Sequence, residues 1–148
     1  MEETLTNLVV GVGSPHGDDA IGFHIVQRLE ELKIPGVCCV TAKEPLQILT
    51  NLEGPQRLWV VEASRGGKPA GTLTRFEWPM DLGEVQLAST HAVGLIDALR
   101  LAENLGRLPA HSVVYGVEIG NETLPITGLS TTMSRVVPTV ADAIKWYI

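Results

Sequence analysis

The feature that most constrains the fold is a short apolar run that ends in glycine and leads into a helical repeat. Residues 8–13 read LVVGVG, which predicts a buried strand of a parallel sheet. Apolar side chains then recur at helical spacing between residues 19 and 32, and Pro35 and Gly36 end that predicted helix. A strand that leads directly into a helix is typical of folds in which helices cover a parallel sheet.

The same alternation continues along the rest of the chain. Further strands are predicted at residues 37–41, 57–63, 71–76 and 112–117, and helices at residues 45–52, 91–105 and 130–148. Pro138 is expected to interrupt or restart the last helix, and residues 78–90 form the longest irregular segment. We therefore predict one domain over residues 1–148, with a three-layer α/β fold: a mostly parallel, twisted sheet of about five strands with helices on both faces.

Length, charge and cysteine content exclude several classes of protein. The 148 residues suffice for one core that buries roughly two thirds of the surface of the unfolded chain. A formal net charge of −6, without a cluster of Lys and Arg, argues against nucleic acid as a partner. Cys38 and Cys39 are adjacent, so they form neither a disulfide framework nor a Cys-x-x-Cys metal site. Because the sequence shows no signal peptide or membrane span, we expect a soluble, cytoplasmic protein without membrane contacts.

The turn after the first predicted strand does not have the pattern of a phosphate-binding loop. Gly11 and Gly13 begin a Gly-x-Gly-x-x-Gly motif, but His16 occupies the position of the third glycine. Asp18 and Asp19 lie at the start of the helix, where their carboxylates would repel an anion. A cation suits this turn better. The simpler interpretation of either acid is that it is the N-cap of the helix.

Three side chains that can bind a metal are expected at one edge of the sheet. Asp19 follows the first strand, Glu62 ends the strand at 57–63, and His91 begins the helix at 91–105. Open α/β sheets bind ligands outside the carboxyl ends of their strands. Two carboxylates and one imidazole form an incomplete site for a divalent first-row ion. Taken singly, Glu62 is equally well a surface acid and His91 a histidine at a helix start.

Several segments of the chain carry the motifs of a known family. They are GVGSPHGDDAIG at residues 11–22, EPLQIL at 44–49, VVEA at 60–63, STHAVGL at 89–95, residues 108–118 and GLS at 128–130. On these motifs the chain resembles the hydrogenase maturation endopeptidases over nearly its whole length. Residues 44–49 resemble the subgroup that serves bidirectional, NAD-linked hydrogenases. The resemblance agrees with a phosphorylase/hydrolase-like α/β fold.

The resemblance also implies a reaction and a site. It places the nickel ligands and catalytic residues at Asp19, Glu62 and His91. The implied activity is removal of a short C-terminal extension from the large-subunit precursor of a nickel-iron hydrogenase, after nickel has been inserted. The nickel would be carried by the precursor, and other divalent ions could occupy the site. No Ser-His-acid or Cys-His pattern is evident, so we expect the ion to polarise the carbonyl or a water, with a carboxylate as base.

Two positions depart from the family motifs, and three residues are secondary candidates. Ser14 stands where the family has Asn, and Glu62 stands where it has Asp. We predict that His16, Asp18 and Glu118 contact the substrate. The simpler interpretations are an exposed loop histidine for His16, a helix N-cap for Asp18 and a surface acid for Glu118. A nickel checkpoint or chaperone without protease activity is the alternative function. A flavodoxin-like nucleotide-binding module is a weaker alternative, because Asp18 and Asp19 would repel a phosphate and the third glycine of the motif is missing at His16.

Overall fold

The computed structural model describes residues 6–52, 56–79, 89–120 and 128–148, of which residues 56 and 89–93 are described for their backbone alone. These ranges contain five strands: Thr6–Val12 (β1), Val37–Ala42 (β2), Gln56–Ser64 (β3), Leu73–Glu77 (β4) and Ser112–Glu118 (β5). The strands form one sheet in the order β2-β1-β3-β5-β4. All neighbours pair in parallel except β4, which is antiparallel to β5. The predicted mostly parallel sheet is confirmed.

The helices lie on both faces of this sheet, as predicted. They are Ile21–Glu31 (α1), Ser89–Asn104 (α2) and Thr131–Tyr147 (α3), with short 3₁₀ helices at Gly17–Ala20 and Pro45–Asn51. Because side chains alternate along a strand, each strand contributes to a core on either face. One core joins the sheet to α1 and α3, and its largest side chains include Trp59, Ile25, Leu29 and Ile144. The other joins it to α2 and the second 3₁₀ helix, with Leu58, Val60, Leu95 and Leu99.

The last helix does not stop at Pro138, contrary to the prediction. α3 is continuous from Thr131 to Tyr147 with Pro138 inside it. Its apolar stripe continues on both sides of the proline, since Met133, Val140 and Ile144 are all buried in the same core. Pro138 itself is exposed, so the carbonyl that its missing N–H leaves unpaired faces the solvent side of the helix. Burial of the apolar stripe therefore outweighs the backbone hydrogen bond that α3 loses at Pro138.

Other element boundaries differ by only a few residues from the predicted ones. β4 spans Leu73–Glu77 instead of residues 71–76, and α2 begins at Ser89, two residues earlier than predicted. Most of the irregular segment predicted at residues 78–90 lies outside the described residues. In the described part of the chain, no helix combines the length and apolar character that crossing a membrane requires.

Candidate active site

Glycines allow α1 to approach the sheet more closely than other residues would. A Cβ atom at Gly11 would lie 2.5 Å from the carbonyl oxygen of Gly22, and a Cβ at Gly22 would lie 2.6 Å from the carbonyl oxygen of Val61. Contacts this short are forbidden to any side chain, so glycine is required on both sides of the helix–sheet contact. The backbone contact fixes the start of α1 beside the end of β3, where Glu62 follows Val61.

A second glycine contact holds the turn that contains Asp19. A Cβ atom at Gly13 would collide with the carbonyl oxygen of Asp19, so the 3₁₀ helix is folded directly against the end of β1. The backbone N–H of Gly13 donates to the carbonyl of Ala42 at 3.3 Å and therefore continues the pairing of β1 with β2. The glycines serve close packing of the chain, which agrees with the prediction that this turn is not a phosphate cradle.

Asp18 and Asp19 do not cap their own helices. The N-cap residues are His16 for the 3₁₀ helix and Ala20 for α1, so the N-cap interpretation is wrong for both acids. Asp18 instead accepts a hydrogen bond from the backbone N–H of Ser130 at 2.7 Å. Because Ser130 is the N-cap of α3, Asp18 connects the turn after β1 to the beginning of the last helix. The predicted substrate contact of Asp18 stays a prediction.

The carboxylate of Asp19 is held by the turn that precedes it. Its Oδ2 accepts a hydrogen bond from Ser14 Oγ at 2.9 Å, and the pair is partly buried. The backbone N–H of His16 donates to the same Ser14 oxygen at 3.4 Å, while the side chain of His16 is exposed. Sequence reasoning identified Ser14 as a departure from the family motif but did not identify it as the partner of Asp19.

Glu62 is the most perturbed acid of the site. It is 2% exposed, and its Oε2 has no hydrogen-bond partner among the residues that the structure describes. Burial, and then the negative charge of Asp19, raise the pKa of Glu62 to about 8. An unpaired carboxylate in the interior is costly unless it binds a proton or a cation. Glu62 pairs in register with Gly116 of β5, which has no side chain to fill the space beside it.

His91 lies in the first turn of α2, and its side chain is outside the described residues. A Cβ atom at Gly94, three residues later, would contact Cγ of Pro45 at 3.4 Å. Pro45 follows closely after the carboxyl end of β2, so the helix begins at the edge of the sheet formed by the carboxyl ends of the parallel strands, where Glu62 also lies. The described residues contain no group of three His, Cys, Asp or Glu that could hold a metal. The structure thus brings together Asp19 and Glu62, and the contribution of His91 stays a prediction.

Glu118 organises the loop that follows Glu62. This acid is 1% exposed, and its carboxylate accepts hydrogen bonds from the backbone N–H of Gly66 at 2.8 Å and of Lys68 at 2.6 Å. Ser64 Oγ donates to the same carboxylate at 3.3 Å. The strand register pairs Ser64 with Glu118, a long-range relationship that sequence patterns do not contain. These contacts give Glu118 a structural role, and its contact with substrate stays a prediction.

Comparisons with known proteins identify the family and the fold. A family model described as hydrogenase maturation protease matches residues 23–145, a range that includes Glu62 and His91. The structure of the hydrogenase maturating endopeptidase HybD from Escherichia coli is 23% identical, with a TM-score of 0.76, and the match covers 95% of this chain and 90% of that one.

Two archaeal structures show the same fold. The hydrogenase maturation protease HybD from Thermococcus kodakarensis is 19% identical, with a TM-score of 0.76 and coverage of 97% of this chain and 99% of that chain. The protease HycI from the same organism is 24% identical, with a TM-score of 0.68 and coverage of 94% and 89%. Comparison with curated proteins found no match. At these identities the structural likeness shows the fold, and the family model shows the family.

Proposed function

Because the chain belongs to the hydrogenase maturation protease family, we propose that it cleaves the large-subunit precursor of a nickel-iron hydrogenase and removes its C-terminal extension after nickel insertion. The observation that supports a metal-dependent reaction is the Oε2 of Glu62, which lacks a hydrogen-bond partner within the described part of the chain and is buried close to a second acid, Asp19. The nickel belongs to the precursor and is therefore part of the substrate.

The chemistry of the donors fits a divalent cation. Glu62 offers an unpaired carboxylate oxygen, and Asp19 offers a second carboxylate whose Oδ2 is held by Ser14. A cation between them would offset both the cost of burying Glu62 and its repulsion by Asp19. With the imidazole of His91 the set becomes two oxygens and one nitrogen, which suits a first-row ion such as nickel and leaves positions for ligands from the precursor.

We assign the proton transfers of peptide hydrolysis to Glu62. In the metal-free protein its pKa of about 8 keeps this carboxyl group protonated at neutral pH, and a cation bound beside it would lower that pKa and leave a carboxylate that can act as a base. It would lose its proton when the nickel-loaded precursor binds, accept one from the attacking water and return it to the leaving amine. The nickel would polarise the scissile carbonyl. Asp19, fixed by Ser14, would position the precursor at the same edge.

The test is cleavage of a purified precursor with and without nickel, followed by mass spectrometry of the large subunit. We expect loss of the C-terminal extension only from nickel-loaded precursor, and loss of cleavage in Asp19→Asn, Glu62→Gln and His91→Ala. Full cleavage by all three variants would exclude the assigned site. Tight binding of nickel-loaded precursor without any cleavage by the wild-type protein would instead support the checkpoint alternative.

The finer identity of the substrate is also a proposal. Residues 44–49 resemble the subgroup that serves bidirectional, NAD-linked hydrogenases, so we propose the large subunit of such an enzyme as the partner and the cytoplasm as the compartment. The 3₁₀ helix Pro45–Asn51 contacts α2 close to the turn that contains His91, which would place this segment beside the bound precursor. Cleavage of precursors from different hydrogenase groups, compared under identical conditions, tests the assignment.

A further inference from the structure

The outer side of β2 is a free sheet edge within the described part of the chain. β2 is the terminal strand of the sheet and pairs only with β1 among the described strands. In a parallel pair, the N–H and C=O of one residue point to the same side of the strand. The side alternates from each residue to the next. Since the carbonyl of Ala42 accepts from Gly13 of the β1 segment, the backbone groups of Cys39 and Thr41 point to the outer side.

A groove runs beside this edge, between β2 and α1. The part beside the carboxyl half of β2 is a cavity of about 540 Å³, lined by residues that include Phe23, Gln27, Cys39 and Thr41. A second cavity of about 310 Å³ shares Cys39 with the first and extends to Val37, at the beginning of the strand. The two volumes lie at the scale of ligand-binding clefts. Together they follow β2 from Val37 to Thr41, roughly 17 Å of strand.

The end of the groove at Phe23 lies near the turn that contains Asp19. Phe23 lines the larger cavity, and its Cε1 lies 3.9 Å from the position that a Cβ atom at Gly13 would occupy. Gly13 in turn packs against the backbone of Asp19. This series of contacts, from Asp19 through Gly13 to Phe23, connects the candidate active site to that end of the groove.

We propose that this groove binds the C-terminal extension of the precursor as an added strand on the outer edge of β2. The inference rests on the proposed function and names the binding site of its substrate. Because the carboxyl end of β2 lies at the active site, an extension that leads away from the cleaved bond runs antiparallel to β2. Backbone groups of Cys39 and Thr41 pair with it, and alternate side chains of the extension enter the groove.

The lining of the groove determines which side chains it accepts. Burial, followed by the charge of Glu30, raises the pKa of the Cys39 thiol to about 11, so this group is neutral at physiological pH. Cys39, Phe23 and Val26 form an apolar wall, and Glu30 contributes a negative charge where the two cavities meet. Apolar side chains in the extension, with a basic one opposite Glu30, complement this surface.

Backbone methylation of the extension tests the pairing directly. In an added strand, the N–H of every second residue pairs with β2 and the others face away. Synthetic peptides with the sequence of the extension, each methylated at one backbone nitrogen, are titrated against the wild-type protein by fluorescence anisotropy. We expect the effect of methylation to alternate along the peptide. Methylation at every second nitrogen should lower the affinity about tenfold or more, and methylation at the nitrogens between them by less than about twofold. Equal effects at neighbouring positions would overturn the proposal.

Variants of the groove provide the second measurement. Cys39→Trp fills both cavities and Thr41→Pro removes an outward N–H, whereas Leu101→Trp introduces the same indole at an exposed position on α2 as a control. We expect both groove variants to raise KM for the precursor about tenfold with little change in kcat, and the control to match wild type. Unchanged KM in variants whose circular dichroism and unfolding midpoint match wild type would overturn the proposal.

The outcomes also separate this inference from the function on which it rests. If wild-type protein cleaves nickel-loaded precursor but the groove variants and methylated peptides have no effect, the groove is not the binding site and the protease assignment stands. If wild-type protein cleaves no precursor, the proposed function fails. A wild-type dimer in size-exclusion chromatography that Thr41→Pro converts to monomer would show that a second copy of the chain occupies the edge, and would overturn the peptide proposal.

Discussion

Ser14 donates a hydrogen bond to the carboxylate of Asp19 at 2.9 Å, across a turn in which the two residues are five positions apart. The hydroxyl occupies one oxygen of Asp19 and so fixes the rotation of the carboxylate. The family motif has Asn at this position, and an Asn side chain can also donate through its amide. The departure at Ser14 therefore keeps a hydrogen-bond donor beside the acid.

We expect Ser14→Ala to lower kcat/KM for the precursor by about fivefold, because one hydrogen bond contributes about 1 kcal/mol to the orientation of Asp19. Ser14→Asn is expected to retain most of the activity, since the amide replaces the lost donor. The measurement is precursor cleavage under single-turnover conditions, with the unfolding midpoint recorded for each variant. Wild-type activity in Ser14→Ala would show that Asp19 does not need this partner.

The close contact between α1 and the sheet predicts a strong effect of a single methyl group. Gly11→Ala would place its Cβ 2.5 Å from the carbonyl oxygen of Gly22, which is backbone and cannot move aside. We expect a loss of about 2–3 kcal/mol in the free energy of unfolding. Gly120→Ala is the matched control, because no atom of the described residues lies within 4 Å of a Cβ atom built at Gly120. Urea denaturation measures both, and equal stabilities would contradict the contact.

Much of the fold could be predicted from local patterns in the sequence. Apolar runs located the strands and helical spacing located the helices, because burial of one face produces those periods. The prediction was wrong at Pro138, because burial of the apolar stripe of α3 outweighs the tendency of proline to end a helix. The antiparallel direction of β4 was also not predicted, since alternation of side chains does not depend on strand direction.

The candidate site was predictable in outline but not in its contacts. The motifs identified Asp19 and Glu62 as neighbours in space, whereas the pattern alone made Glu62 an ordinary acid at a strand end. Its burial depends on a register that pairs it with Gly116. The hydrogen bond from Ser130 to Asp18 joins residues 112 positions apart, a relationship that no local pattern contains.

The carboxylate of Glu118 predicts how the loop after β3 is held. Glu118→Ala would leave the N–H groups of Gly66 and Lys68 without their charged acceptor, and we expect the protein to lose about 2–3 kcal/mol of stability. Limited proteolysis should then cut the loop at residues 65–70 sooner than in wild type. The same substitution at Glu31, an exposed acid with a 3.7 Å ion pair to Arg28, is expected to cost less than about 1 kcal/mol. Similar losses in both variants would argue against the buried contacts.

The raised pKa of Glu62 predicts an unusual dependence of stability on pH. In the unfolded chain this group titrates near its ordinary value of 4.5, whereas in the folded protein it holds its proton up to about pH 8. Between these values the folded state binds more protons, so the free energy of unfolding falls as the pH rises. The stabilisation is complete below about pH 4.5 and is lost as the pH passes through about 8, with a size on the order of several kcal/mol.

Glu62→Gln removes the titration while keeping the shape of the side chain, so it isolates this contribution. We expect the metal-free variant to be more stable than wild type at pH 8, where wild type buries a carboxylate near Asp19, and to approach wild type near pH 5. Urea denaturation of both proteins from pH 5 to 9 measures the difference. A constant difference across that range would show that Glu62 does not change its charge there. Nickel added at pH 8 should stabilise the wild type and leave Glu62→Gln nearly unchanged, because only the carboxylate gains a charged partner.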